Sequence, residues 1–419
     1  MSERPKPPVD APAGDEQYDP FEDFNRAQGI GSVRDPYAQF REQRGRCPVQ
    51  RVDLAQIAGG QGKHALPGAS DMYAVLSHDA VSRVLRDGKT FSSQVYAKSM
   101  GIVMGHTILE MDEPEHSRYR GLIQQAFTKK ALAHWESELV RPIVNQCIDR
   151  FADRGHADLV RELTFPFPVS VITGMLGLPE EALPQFHVWA IELISIAMDP
   201  ARGIAASQKL AEFFTPLIQQ RREQPRDDLI SVLASAELEG TRLSDDEIIA
   251  FLRLLLPAGA ETTYRSSSNL LCGLLTHPDQ LEALREDREL FPQAIEEGLR
   301  WEPPLIGIIR EATCDVEMDG VKIPAGSAIS VNMGAANRDE SRYPRADDFD
   351  IQRKPRQHMA FGFGAHRCLG MHLARMETTV ALERVLDRLP NLRLDPAAGE
   401  VYVTGATFRA PTQLPVLFG

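Results

Sequence analysis

The stretch HMAFGFGAHRCLG, residues 358–370, gathers three glycines, two histidines and one cysteine immediately before a helical pattern, CLGMHLARMETTVALERVL. Gly362 and Gly364 permit backbone conformations that other residues resist, so the loop can approach another body closely. Cys368 then opens a helix, where the macrodipole and unpaired N–H groups favour a thiolate. A thiolate at such a place is either a nucleophile or a metal ligand. A nucleophile needs a histidine base, and only His366 is near in sequence. A ligand to iron in a macrocycle needs one tuned sulfur and an apolar wall, which Phe361 and Phe363 can supply. The loop alone leaves both readings open, with mechanics favouring a haem.

A second constellation lies in SDDEIIAFLRLLLPAGAETTYRSSSNLLCGLL. Ser244 and Glu247 form a capping box and Leu243 with Ile248 a hydrophobic staple, so a helix starts here and runs to about Thr276. Its middle holds Pro257, Gly259, Glu261, Thr262 and Thr263. An interior proline costs about 3 kcal/mol and a glycine about 1 kcal/mol. A helix weakened at its centre, with an acid and a hydroxyl beside the weak point, is a candidate for proton transfer. The plain alternative is a kinked core helix whose threonine bonds back to a carbonyl.

The elements that must position these residues are mostly helical. Helices are expected over 34–46, after the strand in DMYAV, over much of 115–260 and from Cys368 to about Leu389. Residues 92–110 read as a loop. IIREATCDVEMDGVKIPAGSAISVNMG, residues 308–334, alternates between turn signals and predicts a small sheet, and the chain closes in extended structure. The fold class is mostly α with a small β portion (α+β). Residues 1–30 read as a disordered or extended lead-in and 31–419 as a single catalytic domain.

Composition narrows the function. A net charge of −13 argues against nucleic acid as a main partner. Five dispersed cysteines without a CxxC indicate a reducing compartment, with Cys147 and Cys272 as core residues. Apolar runs are too short to span a membrane. A cytoplasmic, monomeric enzyme without a membrane anchor is expected.

FGFGAHRCLG resembles the haem-binding loop of the cytochrome P-450 superfamily, FGxGxHxCxG, at Phe361, Gly362, Gly364, His366, Cys368 and Gly370. AGAETT resembles its oxygen-activating segment at Ala258, Gly259, Glu261, Thr262 and Thr263. EEGLRWEPP carries its ExxR at Glu297 and Arg300, MDEPEHSRYRG resembles the haem-edge helix of soluble bacterial members, and residues 337–350 resemble the meander before the loop. These motifs follow the family order.

The resemblance implies a triangular prism-like fold holding haem b between the long helix and the Cys-loop helix. It implies Cys368 as axial thiolate, with Phe361, Gly370 and Ala258 against the haem and His116, Arg120, Arg310 and His366 as propionate anchors. Glu261 and Thr262 would deliver protons during O2 activation, and their presence makes a peroxide-driven enzyme the weaker reading. Glu297 and Arg300 would form a structural ion pair, with Arg353 a candidate third partner. Leu254, Leu255, Ala258, Leu305, Ile306, Ile308 and Thr407 would line the substrate pocket. The implied reaction is hydroxylation of a small hydrophobic substrate of terpenoid, steroid, fatty-acyl or alkyl-aromatic type. Electrons would come from NAD(P)H through an external ferredoxin reductase and ferredoxin, docking on Lys129–Lys130, Arg353–Arg356 and Arg367.

Overall fold

A helix of 32 residues, Asp245–Thr276, forms the axis of the molecule. The capping box is present, with the Ser244 hydroxyl and the Glu247 carboxylate each accepting the other's backbone N–H. Helical structure continues through Pro257 without interruption. Gly259 serves a close helix crossing: a Cβ there would lie 2.4 Å from Ile172 Cδ1 in the helix Pro166–Met175. The weak point of the sequence is therefore a packing requirement as well as a site feature.

This computed structural model describes residues 18–52 and 71–419; the Gly/Gln-rich segment 58–69 lies outside the described residues. The main apolar core surrounds the central helix, drawing Leu252, Leu256 and Ala260 together with Phe167, Ile172, Phe214 and Leu382. A smaller core lies against a five-stranded sheet ordered Val49–Arg51, Met72–Val75, Ala328–Asn332, Gly307–Ala312, Phe91–Ser92. Ala328–Asn332 runs parallel to Met72–Val75 and antiparallel to Gly307–Ala312, with Ile329 opposite Arg310. The MDG signal is a tight hairpin turn, with Asp319 and Gly320 both at positive φ. Cys147 and Cys272 are buried, as their apolar surroundings in sequence suggest.

Two expectations are corrected. Residues 92–110 are not all loop, since Gly101–Met104 is helical. Pro20–Ala27, expected to be extended or disordered, is a helix capped by Asp19, whose carboxylate accepts the N–H groups of Phe21 and Glu22. Its apolar Phe24 is buried, and that burial offsets the charge that made the segment look like a lead-in.

Candidate active site

Gly362 and Gly364 adopt φ of 66° and 72°, the left-handed region that favours glycine. A side chain at Gly364 would place Cβ 2.3 Å from the carbonyl oxygen of Leu85, so the loop lies directly on the end of the helix His78–Arg86. The Cys368 N–H donates to the Phe361 carbonyl at 2.8 Å, closing the loop, and the thiol stays accessible although it lies deep within the protein. Behind it, the Arg375 guanidinium stacks 4.4 Å from the Phe361 ring centroid and makes two hydrogen bonds to Glu296, at 2.6 and 2.8 Å. His358 Nε2 lies 3.2 Å from the same carboxylate. Those charges hold Glu296 down at about 2.

Burial pushes the Cys368 thiol above its ordinary value, although the Gly370 N–H and Arg120, Arg375 and Arg367 pull the other way. The helix terminus alone therefore does not produce the thiolate anticipated from sequence. Nor is His366 placed as its base. Its Nε2 lies 3.2 Å from Ser93 Oγ and its ring 4.1 Å from that of His116, and burial with Arg310, His116 and Arg120 lowers it to about 3. The nucleophile reading fails on both counts.

His116 and Arg120 stand on the helix Glu115–Gln124, Arg310 in the strand Gly307–Ala312, and His366 in the Cys loop. His116 is 1% exposed, its Nδ1 lies 3.3 Å from Glu113, and its Nε2 has no hydrogen-bond partner. Arg120 donates to the Arg367 carbonyl at 2.7 Å, and Arg310 to that of Ile309 at 2.8 Å. Burial lowers both arginines and His116, since removal from water disfavours the charged form.

On the central helix, the Thr262 hydroxyl donates to the Ala258 carbonyl at 2.6 Å. Its proton is thus committed, and its oxygen is left to accept. Glu261 is 2% exposed and points elsewhere: Arg265 Nη2 donates to Oε2 at 3.0 Å, and His187 Nε2 lies 3.5 Å from Oε1. Burial raises the carboxyl, but His187 and Arg265 outweigh it and hold it below its ordinary value. Adjacent in sequence, the acid and the alcohol face different partners. Arg265 was detectable from its i, i+4 spacing to Glu261; His187 carries no local signal.

The sequence model described as cytochrome P450 matches residues 192–395. Cytochrome P-450 107B1 of Saccharopolyspora erythraea is 40% identical over 373 residues, covering 85% of this chain and 88% of that protein. The chain belongs to the cytochrome P-450 family. A steroid C26-monooxygenase of Mycolicibacterium smegmatis is 38% identical over 82% of this chain and 87% of its own. The crystal structure of CYP109E1 from Bacillus megaterium in complex with testosterone matches with a TM-score of 0.81 and 33% identity, covering 92% of this chain and 99% of that one. The protein is a cytochrome P-450 monooxygenase.

The residues present fit the haem that this family implies. Four basic side chains converge with an orphaned buried nitrogen at His116, a set that calls for an anion such as paired propionates. Near Arg120 stands one thiol, without a base, whose deprotonation a metal would enforce. Ala258 is exposed on the central helix beside Thr262, as a residue facing a cofactor would be.

Two further assignments change for this cytochrome P-450. Ile306, expected in the pocket, is 2% exposed and packs against Gly334, where a Cβ would lie 2.8 Å from its own. Leu254, Leu255, Leu305 and Ile308 are only partly buried, and Thr407 and Ala258 are exposed. Arg353 belongs inside the fold: its Nε donates to Glu297 at 3.1 Å with its side chain 11% exposed. It completes the Glu297–Arg300 pair and drops out of the docking patch.

Proposed function

We propose that this cytochrome P-450 hydroxylates an uncharged, hydrophobic substrate of steroid or terpenoid size, receiving electrons from an external ferredoxin and its reductase and so only indirectly from NAD(P)H. The observation that carries the substrate reading is an apolar stripe leading to the reactive position. Leu254, Ala258 and Thr262 are spaced four residues apart on the unbroken central helix and share one face. Leu305 and Ile308 add apolar surface from the neighbouring sheet region. Two of the proteins it resembles are described with steroids, which supports this class.

When bound, haem b supplies the chemistry of O2 activation and hydrogen abstraction. Cys368 would hold its iron, with Phe361 and Gly370 beside the sulfur, and His116, Arg120, Arg310 and His366 would hold its propionates. The Thr262 oxygen would accept a hydrogen bond from a protonated group in the cavity. Glu261 would carry the proton inward, its carboxylate turning from Arg265. The apolar stripe orients the substrate and excludes water. We read the chain, the helix Pro20–Ala27 included, as one monomeric catalytic unit working in the cytoplasm; among the described residues no helix is long and apolar enough to cross a membrane.

Titrating the haem-loaded protein with testosterone should move its iron from low to high spin, followed by a hydroxylated product when NADPH, ferredoxin and reductase are supplied. A long-chain carboxylate should shift it far less, since nothing in the stripe pairs a buried charge. A spin shift given only by charged ligands would refute the reading.

Docking would use exposed Lys129, Lys130, Lys354, Arg356 and Arg367. Arg367 adjoins Cys368 in the loop, and Arg120 ties the helix before Lys129 to the Arg367 carbonyl, which supports a patch near the thiolate. Reversing charge with Lys129→Glu and Lys130→Glu should slow ferredoxin association about tenfold at low salt, the difference shrinking as salt rises. Equal rates at low salt would remove the patch from the reading.

A further inference from the structure

Glu261 is sealed from water by side chains that come from three separate elements. Its Oε1 has no hydrogen-bond partner, and His187 Nε2 stands 3.5 Å away on the helix Leu183–Ile194. The His187 ring packs into an aromatic cluster, 4.4 Å from the Phe21 centroid and 4.7 Å from that of Phe165, which themselves lie 5.3 Å apart. Phe21 belongs to the N-terminal helix Pro20–Ala27 and is itself half-buried, so its outer edge meets solvent. The same helix sends Asn25 onto the network, where its Oδ1 accepts from Arg265 Nη2 at 2.8 Å. Arg265 is wholly buried, with Nε and Nη1 unpartnered, and faces the rings of Tyr264 and Phe408. Tyr18, just before the helix, stacks 3.6 Å from the Arg202 guanidinium and pins the segment from its other end.

A carboxylate with one satisfied oxygen and one orphaned oxygen, an imidazole aimed at the orphan, and a removable aromatic cover together form a path. We propose that His187 relays protons from water to Glu261, and that the N-terminal helix is the cover of this relay. This extends the reading of Glu261 as the proton-delivering acid and rests on it. When Phe21 lifts, water reaches the His187 ring. Nδ1 takes a proton delivered along that water from a solvent hydronium ion, which is left as water, while Nε2–H passes its own to Glu261 Oε1, so the imidazole stays neutral and the carboxylate becomes the acid. Release of that proton inward restores the carboxylate, and tautomer exchange resets the ring. His187 touches neither substrate nor cofactor; it is a positioning residue acting through Glu261. Arg265 and Tyr264 are the other titratable groups facing the acid, and both are held in the aromatic shell.

The test needs no known substrate. The substrate-free haem-loaded protein is driven by NADPH with a surrogate [2Fe–2S] ferredoxin and its reductase, and peroxide released per NADPH is measured in H2O and D2O. His187→Gln keeps a polar N–H donor beside Oε1 but cannot relay. It should raise the peroxide fraction several-fold and enlarge the solvent isotope effect, while the CO-complex spectrum stays native. Glu261→Gln is the companion: if it raises the peroxide fraction and His187→Gln does not, the relay is wrong and the acid assignment stands. If neither changes, the acid assignment itself has failed and the relay with it.

Independently of turnover, carbethoxylation of His187 by diethyl pyrocarbonate, read by mass spectrometry, should be at least about tenfold faster in Phe21→Ala than in the native protein. Exposed His134 should label equally in both. Asn25→Ala, which loosens the helix from Arg265, should act in the same direction if Phe21→Ala does not fold. Unchanged labelling of His187 in the folded variants would overturn the role of the cover.

Discussion

A Cys368→Ser protein is expected to fold nearly as stably as the native chain. When reduced under carbon monoxide, it should lack the long-wavelength Soret band that thiolate ligation gives. Monooxygenation should fall by at least about 100-fold, beyond the 10- to 100-fold typical of losing a residue that merely supports a ligand. The stability expectation follows from placement: the Cys368 side chain is accessible and belongs to neither packed apolar core, so exchanging sulfur for oxygen leaves no cavity there. The spectroscopic expectation follows from donor chemistry. A serine hydroxyl is a harder ligand and far less easily deprotonated, and the surroundings that fail to make Cys368 a thiolate unaided would do less for an alcohol. Denaturant midpoint, haem content and the CO difference spectrum check the three parts. A variant that kept the thiolate band would remove Cys368 from the iron.

How much of this was readable in advance depended on where each residue's partner lies along the chain. The capping box at Ser244 and the helix from Met371 rest on neighbours within a few residues, and they emerged as read. The bond from Thr262 to Ala258 is likewise local, one helical turn, and was available as the plain alternative. The helix Pro20–Ala27 had its signals too: Asp19 as cap, Pro20 in the first turn, and acidic Glu22 and Asp23 after it. Charge and proline content hid them, because what stabilises the segment is contact with residues far away in sequence.

Glu261 shows the opposite limit. Its residue type marked it as an acid, yet its orientation is set by Arg265 one turn on and His187 from another helix, and no pattern in the chain joins the latter two. Ile306 sits in a run of apolar residues that all suit a pocket, and only its packing against Gly334 tells it from Leu305 and Ile308. The residue types of the candidate site are thus legible in sequence, whereas the direction each side chain faces is a property of packing.

Glu297→Ala should be the most destabilising single change outside the haem site, costing about 3–5 kcal/mol and much of the haem content. Glu297 lies at the centre of a buried hub. Arg300 donates to both its oxygens at 2.7 Å, and Oε1 also accepts the Asp350 N–H at 2.9 Å and Arg353 Nε at 3.1 Å. Arg300 reaches on to the carbonyls of Asn337, Ala346 and Asp348, and Arg353 to those of Arg345 and Asp348. One carboxylate therefore fixes the segment 337–353 against the helix Phe291–Trp301, directly before the Cys loop. Removing it strands two guanidinium groups, one of them 2% exposed at Arg300, without their counter-charge. Arg353→Ala leaves Glu297 its two bonds from Arg300 and its backbone donor, so it strands no buried charge; it forfeits one charged hydrogen bond to Glu297, worth about 1.5–3 kcal/mol, and exposed bonds to carbonyls that water can replace. The order is the test: in urea, with haem retention followed by absorbance, Glu297→Ala must unfold earlier and hold less haem than Arg353→Ala. The reverse order would mean that the meander is held by the carbonyl contacts of Arg353, with the carboxylate secondary.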